Sequence, residues 1–119
     1  MPYDAVTLLP NRVRLADFLR VHLGQDGAQL AVMYLGLDCF KEINDTHSHH
    51  VGDKVLGVVA DRLRRSLRPD QIAASMGGEE FVIAAPHLAE EEITQYCQHM
   101  LELLALPIAH EGGELFIGA

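Results

Sequence analysis

The stretch Gly77-Gly78-Glu79-Glu80-Phe81 constrains this chain more than any other. Paired glycines permit the positive φ of a tight turn and let a phosphate approach the backbone closely. Residues 72–76 before them and Phe81-Val82-Ile83-Ala84-Ala85 after them are apolar runs. The pattern predicts two strands of a β-hairpin with the glycines at its turn. Adjacent carboxylates at such a turn suit a divalent cation shared with a phosphate. On these five residues alone, a plain hairpin with two solvated acids fits as well.

The other elements follow from periodicity. Pro10-Asn11 opens an amphipathic stretch that predicts a helix over 11–24, ended by Gly24 and Gly27. Residues 30–37 form a near-continuous apolar run, short enough for a strand buried on both faces. Phe40 and Ile43, three apart, suit a short helix over 38–45 and are expected core residues. Leu56, Val59, Ala60, Leu63 and Leu67 share one face of a helix over 53–67. Asp53 alone would read as its N-cap. Glu90, Glu91 and Glu92 suit the first turn of a further helix. Its predicted core stripe is Ile93, Cys97, Met100, Leu101 and Leu104, and Pro107 stops it. Gly112-Gly113 turns into a last strand, Leu115-Phe116-Ile117. The order α, β, α, α, β, β, α, β predicts an α+β domain with helices on a mostly antiparallel sheet.

Length and charge narrow the function. The 119 residues make one domain, 1–119, and 49% hydrophobic residues make it globular. Nine basic against 17 acidic side chains give a net charge of −8. No nucleic acid partner is expected of so acidic a surface, so any phosphate must be held locally. No apolar run reaches the roughly 18 residues of a membrane span, and no signal peptide is evident; no membrane contact is expected. Cys39 and Cys97 lack metal-ligand spacing and a disulfide framework. Both read as buried free thiols, which suits a cytoplasmic location. His47, His49 and His50 crowd one loop, but no fourth ligand for a transition metal is obvious.

Four motifs in order give the chain a resemblance to the GGDEF family, the diguanylate cyclase domains of bacteria. Asp4-Ala5-Val6-Thr7-Leu8-Leu9-Pro10-Asn11-Arg12 resembles D-x-L-T-G-L-P-N-R, with Leu8 where glycine is usual. Gly36-Leu37-Asp38-Cys39-Phe40-Lys41-Glu42-Ile43-Asn44-Asp45 resembles D-x-D-x-F-K-x-I-N-D. Ser48-His49-His50-Val51-Gly52-Asp53 resembles G-H-x-x-G-D, and residues 77–81 are the signature in its G-G-E-E-F form. The resemblance implies a palm-like nucleotidyl cyclase fold, with a central mostly antiparallel sheet flanked by helices. It implies a family domain whose C-terminal part lies outside these 119 residues. Active members condense two GTP into cyclic di-GMP with Mg2+ or Mn2+, in a homodimer whose active-site faces meet. By resemblance Glu79 ligates the metal and Glu80 supports the metal site or the attacking hydroxyl. Asn44 and Asp53 match the guanine-reading pair, Lys41 lies near the phosphates, and Gly77 and Gly78 lie against the nucleotide. Residues 112–119 are similar to the stretch preceding an EAL phosphodiesterase domain, so sensor or EAL domains are expected neighbours.

The chain also departs from the pattern. Gly36 stands where the family has its first-strand metal aspartate. Asp38, on the same face, is a poor substitute because the family already has an aspartate there. Ser75 replaces an arginine, and Ser48 a glycine. The product-inhibition motif R-x-x-D keeps Arg68 but has Gln71 for its acid, with Asp70 one residue out of register. These changes imply a GTP-binding regulatory module with impaired or absent diguanylate cyclase activity. The intact signature keeps an active metal-dependent cyclase as the alternative.

Overall fold

The computed structural model describes residues 2–24, 29–38 and 40–119; Gly27 and Cys39 lie outside the described residues. Helix α1, Arg12–Leu23, opens at Asn11, whose side chain accepts from the N–H groups of Val13 and Arg14. It ends at Gly24, as the pattern predicts. Strand β1 is Leu30–Gly36, helix α2 Phe40–Thr46 and helix α3 His49–Ser66. The hairpin strands are β2, Ile72–Gly77, and β3, Glu80–Pro86. Helix α4, Glu90–Leu104, is followed by β4, Ile108–His110, and β5, Gly113–Leu115.

The expected antiparallel sheet has the order β1-β3-β2, with β4 and β5 forming a separate two-stranded ribbon. One sheet face packs Phe81 and Ile83 against α3 and α4 through Val59, Leu63 and Leu104, all at most 2% exposed. The other packs Val82 and Ala84 under Leu15 of α1. Phe40 and Ile43 enter the larger core, as expected.

Several expectations are corrected. β1 is not buried on both faces: Val32, Tyr34 and Gly36 are exposed, because α1 lies over β2 and leaves that side of β1 open. Asp53 is not an N-cap. The helix begins four residues earlier, capped by Ser48 Oγ, which accepts from Val51 N–H at 3.2 Å. Ser48 therefore replaces the usual glycine with a working cap. Leu101 is exposed, and Cys97 is only partly buried. α4 ends at Leu104 with Ala105 as its C-cap, so Pro107 follows its end as expected, and the Arg62 guanidinium donates to the carbonyls of Leu106 and Pro107 beyond it, both at 2.7 Å. The last strand, Gly113–Leu115, begins and ends two residues earlier than predicted and pairs with β4; Phe116 is exposed and Ile117 is buried.

The opening motif is a carboxylate-organised loop. Asp4 Oδ1 accepts from the N–H groups of Val6 and Thr7 and from the Thr7 hydroxyl. Arg64 donates to the Thr7 carbonyl at 2.6 Å, tying the loop to α3. Leu8, 70% exposed, sits at φ 60°, the left-handed region that explains glycine as the usual residue. A left-handed leucine costs about 1–2 kcal/mol, offset partly by the greater freedom glycine has when unfolded. Leu8→Gly should therefore stabilise the protein by about 0.5–1 kcal/mol, read as a higher urea midpoint at constant slope.

Candidate functional site

The hairpin tip is built by two positive-φ glycines, Gly77 at 112° and Gly78 at 58°. The ladder closes at Gly77 opposite Glu80, so Gly78 and Glu79 form a two-residue loop. A register shift between Ser75 and Gly77 bends β2 just before the turn. Phe81, fully buried, anchors the start of β3, and Leu37 N–H donates to the Glu79 carbonyl at 3.1 Å. Glu79 and Glu80 are thereby fixed at the rim of a pocket of about 500 Å3. That volume lies within the range of small-molecule sites, about 300–1,000 Å3.

The opposite wall is α2. Phe40, Lys41 and Asn44 face Gly77, Gly78, Glu79 and Glu80 across the pocket. Six residues singled out in the sequence thus converge: Lys41, Asn44, Gly77, Gly78, Glu79 and Glu80. Asp53 and Asp38 are not among the residues lining it. Asp53 is exposed on α3. Asp38 donates its N–H to the Gly118 carbonyl at 2.7 Å, and its carboxylate lies beside Gly118.

Gly52, to which the sequence reading assigns no role, has a clear one. A β-carbon there would collide with the Asn44 amide oxygen and crowd the Phe40 ring. Asn44 Oδ1 is buried with no hydrogen-bond partner among the described residues. Such an atom costs about 1–3 kcal/mol, which packing alone would not retain.

The first-strand ligand position is resolved by register. Gly36 pairs directly with Glu80 across β1 and β3. A β-carbon built on Gly36 would meet nothing within 4 Å. Ser75 is 3% exposed and pairs with Phe81, so position 75 points into the core rather than the pocket. Gln71 is also buried. Its Oε1 accepts from Arg68 N–H at 3.0 Å and from the Tyr96 hydroxyl at 3.2 Å, while Arg68 pairs with Glu92 at 3.6 Å. Among the described residues no three His, Cys, Asp or Glu side chains are grouped to hold a metal ion. The carboxylates of Glu79 and Glu80 remain as candidate protein ligands, a set that holds Mg2+ or Mn2+ only together with substrate phosphates and water. The His47 ring packs edge-on against His110, while His49 and His50 lie in the first turn of α3.

A smaller cleft of about 200 Å3 between β1 and α4 is mainly apolar and carries no carboxylate or cationic side chain in its walls. No helix among the described residues is long and apolar enough to cross a membrane.

An α+β domain whose glycine-acid hairpin faces a helix-borne asparagine and lysine belongs to the palm-like nucleotidyl cyclase class. Within that class the chain belongs to the GGDEF family, matching "Diguanylate cyclase, GGDEF domain" over residues 1–119. It is 36% identical over 98% of its length to the cyclic di-GMP phosphodiesterase NbdA of Pseudomonas aeruginosa. It is 38% identical over 93% to the diguanylate cyclase DgcP, and 32% over 98% to the bifunctional diguanylate cyclase/cyclic di-GMP phosphodiesterase MucR, both of the same organism. The chain spans only 15%, 17% and 18% of the length of those relatives. Among solved structures it is similar to a sensory box/GGDEF family protein from Caulobacter crescentus, with TM-score 0.86, 34% identity and coverage of 99% of this chain and 79% of that one. The GGDEF domain of DgcB from Caulobacter crescentus, solved with c-di-GMP, gives TM-score 0.86 at 27% identity, covering 98% and 72%.

The Gly52–Asn44 contact is testable by a double-mutant cycle. Gly52→Ala should cost about 1–3 kcal/mol, the usual size of a forced overpacking. Adding Asn44→Ala should recover most of it, read by urea denaturation.

Proposed function

We propose that this domain binds GTP in the hairpin pocket and acts as a regulatory module of a cyclic di-GMP signalling protein, with diguanylate cyclase activity impaired or absent. The observation that carries the reading is Gly36 directly opposite Glu80. Nucleotide binding draws support from the intact pocket walls and from the unpartnered Asn44 amide oxygen. Asn44 offers its amide to the guanine edge from the pocket wall; Asp53, exposed on α3 outside that wall, is the carboxylate that the family resemblance pairs with it. Lys41 offers a cation to the phosphates, and Gly77 and Gly78 let them approach the backbone.

A divalent cation, when bound, neutralises charge developing on the transferred phosphate. Here its protein ligands reduce to Glu79 and Glu80, and that shortfall supports weak turnover. Dimerisation through the pocket face, a cytoplasmic setting, and control of an attached sensor or EAL domain complete the proposal. The names of the relatives support the last point, since a phosphodiesterase and a bifunctional protein are among them.

The test is incubation of the full-length protein with GTP and Mg2+ or Mn2+, beside a Gly36→Asp variant. A β-carbon at position 36 would meet nothing within 4 Å. The expected result is GTP binding by both, and cyclic di-GMP formation raised about tenfold or more in Gly36→Asp, equivalent to about 1.4 kcal/mol of transition-state stabilisation. Robust turnover by the unmodified protein establishes the active cyclase instead. Absence of GTP binding in both overturns the reading.

A further inference from the structure

The N-terminal loop holds two apolar side chains out of the core. Val6 and Leu8 are 46% and 70% exposed, while Thr7 and Leu9, alternating with them, are buried. Leu8 also sits at φ 60°, a conformation that disfavours leucine. The loop keeps it there: Leu8 N–H donates to the Asp4 carbonyl at 2.9 Å, and Asp4 N–H to the Leu9 carbonyl at 2.8 Å. A leucine both strained and exposed gains nothing from the core, and such strain gathers at ligand clamps. Beside Val6 and Leu8 runs a groove of about 450 Å3 whose other wall is α3. That wall brings Lys54, Arg62 and Arg64 together with the single acid Asp61, in a chain of 9 basic and 17 acidic side chains. The acceptors these cations meet are mostly neutral. Arg62 donates to the carbonyls of Leu104, Leu106 and Pro107, and Arg64 to that of Thr7. The Lys54 ammonium lies 3.5 Å from a ring nitrogen of His110. Asp61 sits closer to Arg65, at 2.8 Å, than to Arg64, at 3.7 Å. The groove therefore keeps positive charge beside an exposed leucine.

We propose that this groove docks an acidic segment of a partner protein, with Leu8 entering an apolar site on that segment. Carboxylates of the partner meet Lys54 and Arg64, which are exposed, while Arg62 is held behind them by its carbonyls. Carbonyl oxygens accept hydrogen bonds without neutralising a guanidinium, so the charge stays available to an incoming anion. Docking also takes Leu8 out of water, a gain that the free domain forgoes. A concave groove suits a protruding segment better than a flat bilayer. The net charge of −8 further repels an anionic membrane. The groove and the hairpin pocket share no lining residue among those described, so docking here is independent of nucleotide binding there.

The test measures, by fluorescence anisotropy, binding of a fluorescein-labelled peptide of glutamates with interspersed leucines to the full-length protein. A peptide with lysine in place of every glutamate is the control. The acidic peptide should bind and the lysine peptide should not, and the affinity should fall as salt rises. Leu8→Gly should weaken binding about tenfold, the scale of one apolar side chain leaving an interface. That variant is expected to be the more stable protein, so its loss of binding does not come from unfolding. Lys54→Glu should weaken binding more at low salt than at high salt. Equal binding by Leu8→Gly and the unmodified protein overturns the proposal, as does equal binding of both peptides or of neither. Self-association lost in Leu8→Gly, without peptide binding, assigns the groove to a second copy of this chain. Binding to phosphatidylglycerol vesicles lost in Leu8→Gly, again without peptide binding, assigns it to a lipid surface. Either result overturns the acidic partner.

Discussion

The placement of β3 between β1 and β2 decides what every group at the candidate site can meet. One strand carries Glu80 and Phe81 in succession, and its two ladders set their neighbours: Gly36 and Gly77 for Glu80, Leu35 and Ser75 for Phe81. A slip of one residue would turn Phe81 and Ile83 to the opposite face. Both are buried against α3 and α4, so the register is held by the hydrophobic core rather than by the acids. The carboxylates are passengers of that register. This is why the identity of residue 36 bears so directly on the chemistry: the backbone places it beside Glu80 whatever its side chain.

The second wall depends on a different constraint, the close approach of α2 to the first turn of α3. Gly52 permits it, Ser48 caps it, and Asn44 lies inside it. The N-terminal loop is tied to the same helix further along, where Arg64 reaches the Thr7 carbonyl. Through α3, the asparagine wall and the Asp4 loop share one rigid element. Motifs far apart in the chain are therefore parts of one scaffold, and the opening motif acts on structure without touching the pocket.

Much of this was legible in the sequence, for identifiable reasons. The hairpin, the antiparallel sheet and α1 follow from alternation, paired glycines and helical periodicity, all local signals. The pocket's six converging residues were legible because family motifs mark them. What escaped depends on packing between distant segments. The open face of β1 follows from where α1 settles, which no pattern within residues 30–37 encodes. The start of α3 was missed because two histidines precede its apolar stripe, hiding Ser48 as a cap. The steric role of Gly52 appears only when Asn44 is brought against it. Gln71 shows the same limit. The sequence presents it as a lost acid, while the structure shows it accepting from Arg68 and Tyr96, bracing the loop before β2.

Position 36 also explains how such a domain can lose a charge and keep its shape. A β-carbon there would meet nothing within 4 Å, so glycine gives up no packing around that atom. Glycine in a strand interior costs about 0.5–1 kcal/mol of backbone entropy relative to alanine, but no core contact depends on it. Removing an exposed acid beside Glu80 also relieves like-charge repulsion in a chain already at −8. The walls that would hold a nucleotide rest on Phe40, Phe81, Gly52 and the hairpin glycines, and none of these needs an aspartate at 36 to stay in place. The pocket walls are thus maintained by the core, whereas position 36 lies on the exposed face of the edge strand β1.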